Sequence, residues 1–508
     1  MAIKELKQQN FWDGITNDIR STSPNSYWHS ENLDIVGKSL RQVVNNQAEN
    51  ACSYDVNNYI TREIQVGTQI YGLGQDNNTN HDTTIWTKTN ALDGAWSIPA
   101  NGTVAATTFR AGYSLFASLN GVIYFDPGND KIGTYTIATN TMSATWKSLV
   151  GGLQGGTIWQ GRIYGWNGQK IYAIDPVANT LTDMKTVSND QTIIELVPYG
   201  NLLAVVCSST VTTSKMYLWD GVSTTTWSEI LEIGYGTVSG GALLEGSVVV
   251  AISTPNKRTL KLKAYNGGDF RNLFTYTARP NQAGTYNYVL PASRLKTFTG
   301  YIYFIITGTK PDGTYAGLYE YAIARFGREE PINPLTFTIY KTFDFTSARG
   351  LDGQTANNDF TILENIVGGS TTEERSVAAV INSDTNKTTF FLSSTSTYTA
   401  QAGVMETVKI SGGDSSIIKQ LKSVSVQYQP LPTAGQVVMK YRTDENLTWT
   451  TIFTDTTDNA ISHEATSIEA TGENFPQFKE IQFRFELIGG AELIGYKVKW
   501  EDTAQGNY

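Results

Sequence analysis

Histidine is the residue most often used for acid–base chemistry and metal binding, and this chain has only three of them, His29, His81 and His463. They lie in separate polar segments, and no cysteine or carboxylate stands near them at the spacing of a site such as C-x-x-C or H-E-x-x-H. A Ser-His-Asp triad would need one of them as its base, yet no G-x-S-x-G motif accompanies them. We therefore predict surface or turn positions for all three, without a catalytic or metal-binding role.

Two further segments contain residue types that could bind a ligand. DPGNDKIG, residues 126–133, could hold a cation through Asp126 and Asp130, although a plain turn is the simpler interpretation. RTDENLTW, residues 442–449, resembles a degenerate form of the S-x-D-x-G-x-T-W turn of sialidases, which is a structural element. The paired carboxylates of a glycosidase cannot be selected among 47 acidic residues without geometry, and no GxxxxGK[ST] phosphate loop occurs. We predict that the protein is not an enzyme and has no cofactor or metal site.

The charge balance argues against sequence-independent binding of nucleic acid. The formal net charge is −9, so the chain lacks the excess of Lys and Arg that releases counterions from phosphates. Arg325, Arg328 and Lys341 come nearest to a basic patch, and Glu329 and Glu330 offset them. An acidic surface past which DNA slides without binding is compatible with the same numbers.

Cysteine usage and the N-terminal segment both indicate folding in a cytoplasm. Cys207 ends the apolar run LLAVVC and is predicted to be a small buried hydrophobic residue, and Cys52 is far from it in sequence. Two such cysteines make no disulfide framework. The first residues, MAIKELKQQNFWDG, have no apolar signal-peptide core, and no window approaches eighteen apolar residues.

The elements that would have to position any site are strands in a repeat of about forty to fifty residues. A glycine followed by β-branched and aromatic residues recurs at spacings of 45, 49, 39, 46 and 54 residues, at Gly67, Gly112, Gly161, Gly200, Gly246 and Gly300. This period predicts the blades of a β-propeller, each roughly a four-stranded sheet. Asn120-Gly121 and Asn167-Gly168 lie between apolar runs and predict hairpin turns at matching positions of two blades.

We predict an all-β protein in three parts. Residues 1–38 form an extended arm, residues 39–400 form a β-propeller of about seven blades, six of them well defined, and residues 401–508 form a β-sandwich or jelly roll. A strand within residues 39–53 is expected to close the propeller and protect its last sheet edge. In the last part, EIQFRFEL places Ile481, Phe483 and Phe485 on one side of a strand.

This layout resembles that of tail proteins of tailed bacteriophages, above all the propeller-bearing nozzle or needle-hub proteins at the tail tip of short-tailed phages. The matching segments are the arm G-I-x-x-D-I-R at 14–20, Asn32-Leu33-Asp34 before the first blade, and the final strands FKEIQFRFELIGGAELIGYKVKWED. The resemblance implies a ring, usually of six copies, around the channel through which DNA leaves the capsid. It also implies that the arm, with its aromatic residues, and the terminal sandwich contact neighbouring subunits.

Two hypotheses of different classes follow. The first is a structural protein of the virion tail, a nozzle or hub ring in the DNA-ejection conduit, without catalysis. Its partners would be further copies of the chain, other tail proteins (adaptor, fibres or needle) and DNA in transit, and it would be assembled in the host cytoplasm. The alternative is a phage adhesin or glycan-binding propeller that recognises the host surface. Most tryptophans lie in strand-like runs rather than loops, as Trp86, Trp159, Trp166 and Trp219 do, and this favours the first.

Overall fold

A computed structural model of the chain consists almost entirely of β-strands. Among the residues that it describes there is no α-helix, and one 3-10 turn occurs at Ile137–Thr139. The described residues are 3–11, 13–16, 18–21, 23, 25–48, 59–75, 82–89, 97–99, 101–108, 115–128, 130–255, 259–277, 288–289, 295–298, 300–309, 319–328, 330–343, 360–367, 372–382, 387–398, 402–444, 446–469 and 471–503. The first strands are β1 (Lys4–Gln8), β2 (Gly14–Ile15), β3 (Ser26–Tyr27), β4 (His29–Glu31), β5 (Leu33–Val36), β6 (Ser39–Gln42) and β7 (Val44–Ala48).

Sheets I to V, between residues 59 and 277, each contain four antiparallel strands that are consecutive in sequence and adjacent in space. Their strands are short runs of β-branched and aromatic residues, which favour a pleated, half-buried surface. Sheet I contains β8 (Tyr59–Val66), β9 (Gln69–Gln75), β10 (Asp82–Thr89) and β11 (Thr103–Thr108), and sheet II contains β12 (Phe116–Leu119), β13 (Val122–Phe125), β14 (Lys131–Thr136) and β15 (Thr141–Ser148). Sheet III contains β16 (Gly155–Trp159), β17 (Arg162–Asn167), β18 (Lys170–Asp175) and β19 (Thr180–Thr186). Sheet IV contains β20 (Thr192–Tyr199), β21 (Leu202–Ser208), β22 (Ser214–Trp219) and β23 (Glu229–Gly234), and sheet V contains β24 (Thr237–Leu244), β25 (Ser247–Ser253), β26 (Thr259–Tyr265) and β27 (Arg271–Thr277).

Sheets VI and VII complete a ring. Sheet VI contains β28 (Tyr288–Val289) and β29 (Lys296–Phe298), which both pair with β30 (Tyr301–Thr309), then β31 (Tyr319–Gly327) and β32 (Thr336–Phe343). Sheet VII contains β33 (Phe360–Val367), β34 (Thr372–Asn382), β35 (Lys387–Tyr398) and, antiparallel to β35, the N-terminal strand β7. Thus β7 occupies the closing position that we expected for a strand in 39–53. Strands β8, β12, β16, β20, β24, β29 and β33 contact each other in this order, and β33 contacts β8. This arrangement is a β-propeller.

The repeated glycines lie in the turn between the first two strands of a sheet. A two-residue hairpin turn needs backbone with positive φ, which glycine adopts without steric cost. Such φ values occur at Gly67 (61°), Gly161 (73°), Gly200 (57°), Gly246 (75°) and Gly300 (78°). Gly112 lies outside the described residues, and in sheet II this turn is made by Gly121 (φ 75°). The repeat of glycines in the sequence therefore reflects the need for positive φ in the first hairpin turn of sheets I to VI.

The predicted equivalence of the two Asn-Gly pairs was wrong. Asn120-Gly121 joins the first and second strands of sheet II, whereas Asn167-Gly168 joins the second and third strands of sheet III. The turn of sheet III that matches Asn120-Gly121 contains Gln160, which adopts a φ of 46°. Asn-Gly marks a tight turn, but other residues can replace the asparagine, so the pair does not identify which hairpin it belongs to.

The strands after the propeller form two sheets together with strands of the N-terminal arm. They are β36 (Gly403–Glu406), β37 (Lys419–Tyr428), β38 (Gln436–Thr443), β39 (Thr450–Asp455), β40 (Ser462–Ala465), β41 (Gln477–Phe478), β42 (Ile481–Ile488) and β43 (Glu492–Asp502). One sheet has the order β40-β37-β43-β6-β5, with β1 also on β43 and β41 on β37. The other has the order β4-β36-β42-β38-β39, and β4 joins it to β32 of sheet VI. We call these two sheets, with β1–β6, the terminal unit.

One continuous hydrophobic cluster joins the terminal unit to the propeller. It includes residues of sheets V and VI, of the arm and of both terminal sheets. Ile481, Phe483 and Phe485 point into it with at most 1% of their surface exposed, as the alternation predicted, and the ring of Phe485 lies 5.1 Å from that of Tyr496 on β43. The arm contributes the fully buried Phe11. A core shared in this way makes the terminal unit and sheets V and VI one packed body.

Candidate functional site at the junction of the propeller and the terminal unit

Two of the three histidines lie in the terminal unit, where they contact carboxylates. His29 Nε2 is 2.9 Å from Glu31 Oε1. His463 Nδ1 is 3.3 Å from an oxygen of Asp455, and its Nε2 is 2.8 Å from Glu469 Oε1. His81 lies outside the described residues. Groups of three or more potential metal ligands are absent from the part of the chain that the structure describes.

The segment 126–133, considered above as a possible cation site, forms a turn whose carboxylates bind the loop before sheet III. Asp126 is completely buried, and it accepts hydrogen bonds from the amides of Gly128 (2.8 Å) and Leu153 (3.2 Å). Asp130 accepts one from the amide of Gly151 at 2.7 Å. Because both carboxylates bind backbone amides, they connect sheet II to the start of sheet III.

The surroundings of Cys207 do not favour redox or nucleophilic chemistry. Its side chain is fully buried in the core between sheets III and IV, and this burial raises the pKa of the thiol well above its usual range. A buried thiol of this kind is inert because the reactive species is the thiolate. Cys52 lies outside the described residues.

A polar cluster lies where the arm meets sheet VI. Arg325 of β31 is only 5% exposed and forms an ion pair with Asp34 of β5. Its guanidinium lies over the rings of Tyr301 (4.1 Å) and Tyr340 (4.7 Å). Burial raises the pKa of the nearby Tyr27 to about 12, so this phenol stays protonated. The geometry shows a partly desolvated ion pair that fixes the arm against the propeller.

The two arginines that come nearest to a basic patch in the sequence do not form a surface for phosphates. Arg325 is buried, and Arg328 makes a two-pronged ion pair with Glu245 in sheet V, with both N···O distances at 2.5 Å. Such a bidentate pair fixes geometry as well as charge. The side chain of Lys341 lies outside the described residues. The fold gives each arginine a separate carboxylate partner, Asp34 for Arg325 and Glu245 for Arg328.

The strand β4 is the second connection at this junction. It pairs in parallel with β32 through Ile339 and Glu31, and it pairs antiparallel with β36 through three residue pairs. A further contact of the arm is the ion pair of Arg20 with Glu480, with N···O distances of 2.7 and 3.0 Å. Sequence reasoning missed these partners, since hundreds of residues separate each pair and no local pattern indicates them.

The RTDENLTW segment folds as the end of β38 and the turn after it. Asp444 adopts a φ of 51° and accepts hydrogen bonds from the amides of Lys479 and Glu480, both at 2.9 Å. The two ends of the segment meet, because the guanidinium of Arg442 lies 4.4 Å from the ring centre of Trp449. Asp444 thus has a structural role, as expected for a turn of this type, and the stacked pair is a separate feature.

A search for membrane-spanning helices found none that is long and apolar enough among the residues described.

Comparison with known proteins gives likeness in fold only. No family model matches the chain, and no curated protein matches it. Similar solved structures include the N-terminal domain of Nup159 (12% identity, 56% of this chain and 75% of that chain, TM-score 0.37) and the computationally designed Ika8 protein (10%, 68% and 100%, 0.37). Another is the WD40 β-propeller domain of Doa1 (10%, 70% and 99%, 0.43). None of these likenesses bears on function, and none links the chain to a phage tail family.

Proposed function

We propose that the protein is a structural component of a bacteriophage tail, a nozzle or hub subunit without catalysis. The observation that supports this most is the junction: the arm, sheets V and VI and both terminal sheets share one core, and an ion pair between Arg325 and Asp34 joins the arm to sheet VI. A rigid body with two differently shaped parts suits a protein that must hold a fixed position in a large assembly. The layout that resembles phage nozzle proteins supports the same role.

The finer architecture belongs to the same proposal. We assign sheets I to VII as seven blades, because one strand from each sheet (β8, β12, β16, β20, β24, β29 and β33) contacts the next in a closed cycle. We assign the terminal unit as a β-sandwich, because buried side chains of β42 and β43 face each other between its two sheets. In this assignment β7 closes the seventh blade, and Val43 alone separates it from β6 of the sandwich.

The proposed partners are further copies of the chain in a ring of about six, other tail proteins, and genomic DNA that passes through without sequence-specific binding. The net charge of −9 supports passage, because an acidic channel wall does not retain phosphates. The distribution of aromatic residues favours this role over the adhesin alternative. Among the tryptophans that the structure describes, five are at most 6% exposed, namely Trp86, Trp159, Trp166, Trp219 and Trp500.

The test is the mass of the purified chain by light scattering, followed by electron microscopy of its particles and of virions that contain it. A closed ring of about six copies, or a fixed axial position in a tail, is the expected result. A stable monomer that binds intact host cells would overturn the proposal and favour the adhesin.

A further inference from the structure

The outer face of the second terminal sheet has an unusual concentration of charge. We call it the charged face and define it by side chains on β4, β36, β38 and β42, namely Glu31, Glu406, Lys440, Arg442, Arg484 and Glu486. Their alternation with the core residues Met405, Met439 and Phe485 places them opposite the hydrophobic cluster. The motif that resembles the sialidase turn lies beside them and contributes Trp449.

Five of these six charged groups are held in a connected array, and the sixth, Glu31, contacts His29 Nε2 at 2.9 Å. Glu406 lies 3.5 Å from Arg484 and 4.0 Å from Arg442. Glu486 lies 3.0 Å from Arg484 and 2.7 Å from Lys440. The array therefore presents planar hydrogen-bonding groups in fixed positions.

Arg442 connects this array to the tryptophan. Its Nε and Nη2 both donate to Gln482 Oε1, at 2.9 and 2.7 Å, and its guanidinium covers the ring of Trp449 at 4.4 Å. Burial lowers the pKa of Arg442 from its usual value. The indole is thus held in a defined orientation at the edge of the array, on a segment whose Leu447 is 49% exposed.

Stability alone explains this face poorly. Its side chains are only partly exposed, from 13% for Glu406 to 29% for Arg484, so they have lost much of their hydration. Ion pairs that lose hydration gain little or nothing in free energy over apolar residues of similar size. Exposed pairs on a sheet likewise contribute about 0–1 kcal/mol each. Proteins keep charged groups where apolar residues would be at least as stable mainly at functional sites.

We propose that the charged face and Trp449 form a binding site for neutral carbohydrate. A sugar ring has an apolar C–H face that packs on an aromatic ring and an edge of hydroxyls that bind planar carboxylate, amide and guanidinium groups. The array holds three cations and two carboxylates, and Glu31 beside it brings the formal charge of the whole face to zero. This balance favours an uncharged ligand over an anionic or a cationic one. The inference rests on the terminal unit alone and does not depend on a role in a phage tail.

The test is affinity electrophoresis of the full chain in gels that contain dextran, mannan or galactomannan, with alginate as an anionic comparison. We expect retardation in at least one neutral gel, and a loss of about tenfold or more in affinity for Trp449→Ala, equivalent to about 1.4 kcal/mol. Trp449→Phe keeps an aromatic face and should retain most of the binding, and Glu486→Gln should weaken it. Trp146→Ala is the matched control, because Trp146 packs on Tyr124 in the propeller.

Three outcomes would overturn the proposal. The first is no retardation by any neutral polysaccharide. The second is retardation by alginate alone, which would mean a purely electrostatic surface. The third is equal binding by Trp449→Ala and wild type, which would place any sugar site elsewhere. Circular dichroism of each variant separates loss of binding from loss of folding, and Trp449→Phe provides a second measurement if the alanine variant does not fold.

Discussion

Removal of residues 1–35 tests how the arm contributes to the fold. The deletion takes away four side chains that are at most 2% exposed, Phe11, Ile15, Tyr27 and Leu33. Burial of a large apolar side chain contributes about 2 kcal/mol, so the loss is about 8 kcal/mol before lost strand pairing is counted. Domain stabilities are about 5–15 kcal/mol in total. We therefore expect the terminal unit to unfold while sheets I to IV, which lie outside the shared core, stay folded, and any assembly that needs this unit to fail with it.

The assay is hydrogen exchange with limited proteolysis, read peptide by peptide. In the deletion variant, peptides from 403–503 should exchange and be cleaved rapidly, whereas peptides from 115–234 should match the full chain. A chain that lacks residues 504–508 is the control, because β43 ends at Asp502 and every described strand is retained. Full protection of 403–503 in the 1–35 deletion would refute the argument that the arm is part of this core. That result would favour the alternative in which the arm contacts neighbouring subunits.

Three further predictions concern single residues. Arg20→Gln should be less stable than wild type at pH 7 by about 1 kcal/mol, because Arg20 lowers the pKa of Glu480. That stabilisation is lost as the pH falls below 4.5, so urea unfolding at a series of pH values should show the difference vanish in acid. Gly152→Ala should lower the melting temperature more than Gly161→Ala: both glycines have positive φ, but only at Gly152 would a Cβ overlap an oxygen of the Asp126 carboxylate. Equal shifts in melting temperature would exclude that clash. Burial lowers the pKa of Lys185, so wild-type stability should rise as pH increases toward 10.5, and Lys185→Met should lack this rise in the same titration.

The repeat could be predicted from sequence because it follows from a local requirement. A turn with positive φ selects glycine wherever the first hairpin of a sheet occurs, and five of the glycines singled out occupy that turn. The exact hairpin could not be predicted from Asn-Gly pairs, because Gln160 makes an equivalent turn in sheet III. Local chemistry thus predicts that a turn occurs, and pairing with neighbouring strands decides its place.

The junction could not be predicted, because its partners lie far apart in the chain. Asp34 and Arg325 carry no local pattern, and Arg325 was noted only for its nearness to Arg328. The resemblance implies that the arm contacts neighbouring subunits, which stays a prediction, and two of the arm's aromatic residues, Phe11 and Tyr27, are fully buried in the chain's own core. An irregular segment rich in aromatic residues predicts burial against something, and only tertiary structure identifies the partner.

The order of elements places both ends of the chain in the same unit, and this has a consequence for folding. Strand β1 pairs with β43, β4 pairs with β36, and β7 closes the sheet that ends with β35. Each of these pairings joins the first fifty residues to residues beyond 386, so none can form until nearly the whole chain is present. Contacts of such long sequence separation are slow to form, because loop closure costs entropy before the contact stabilises anything. Sheets I to V need only local hairpins, so we expect them to fold first and the junction, with ring closure, to form last.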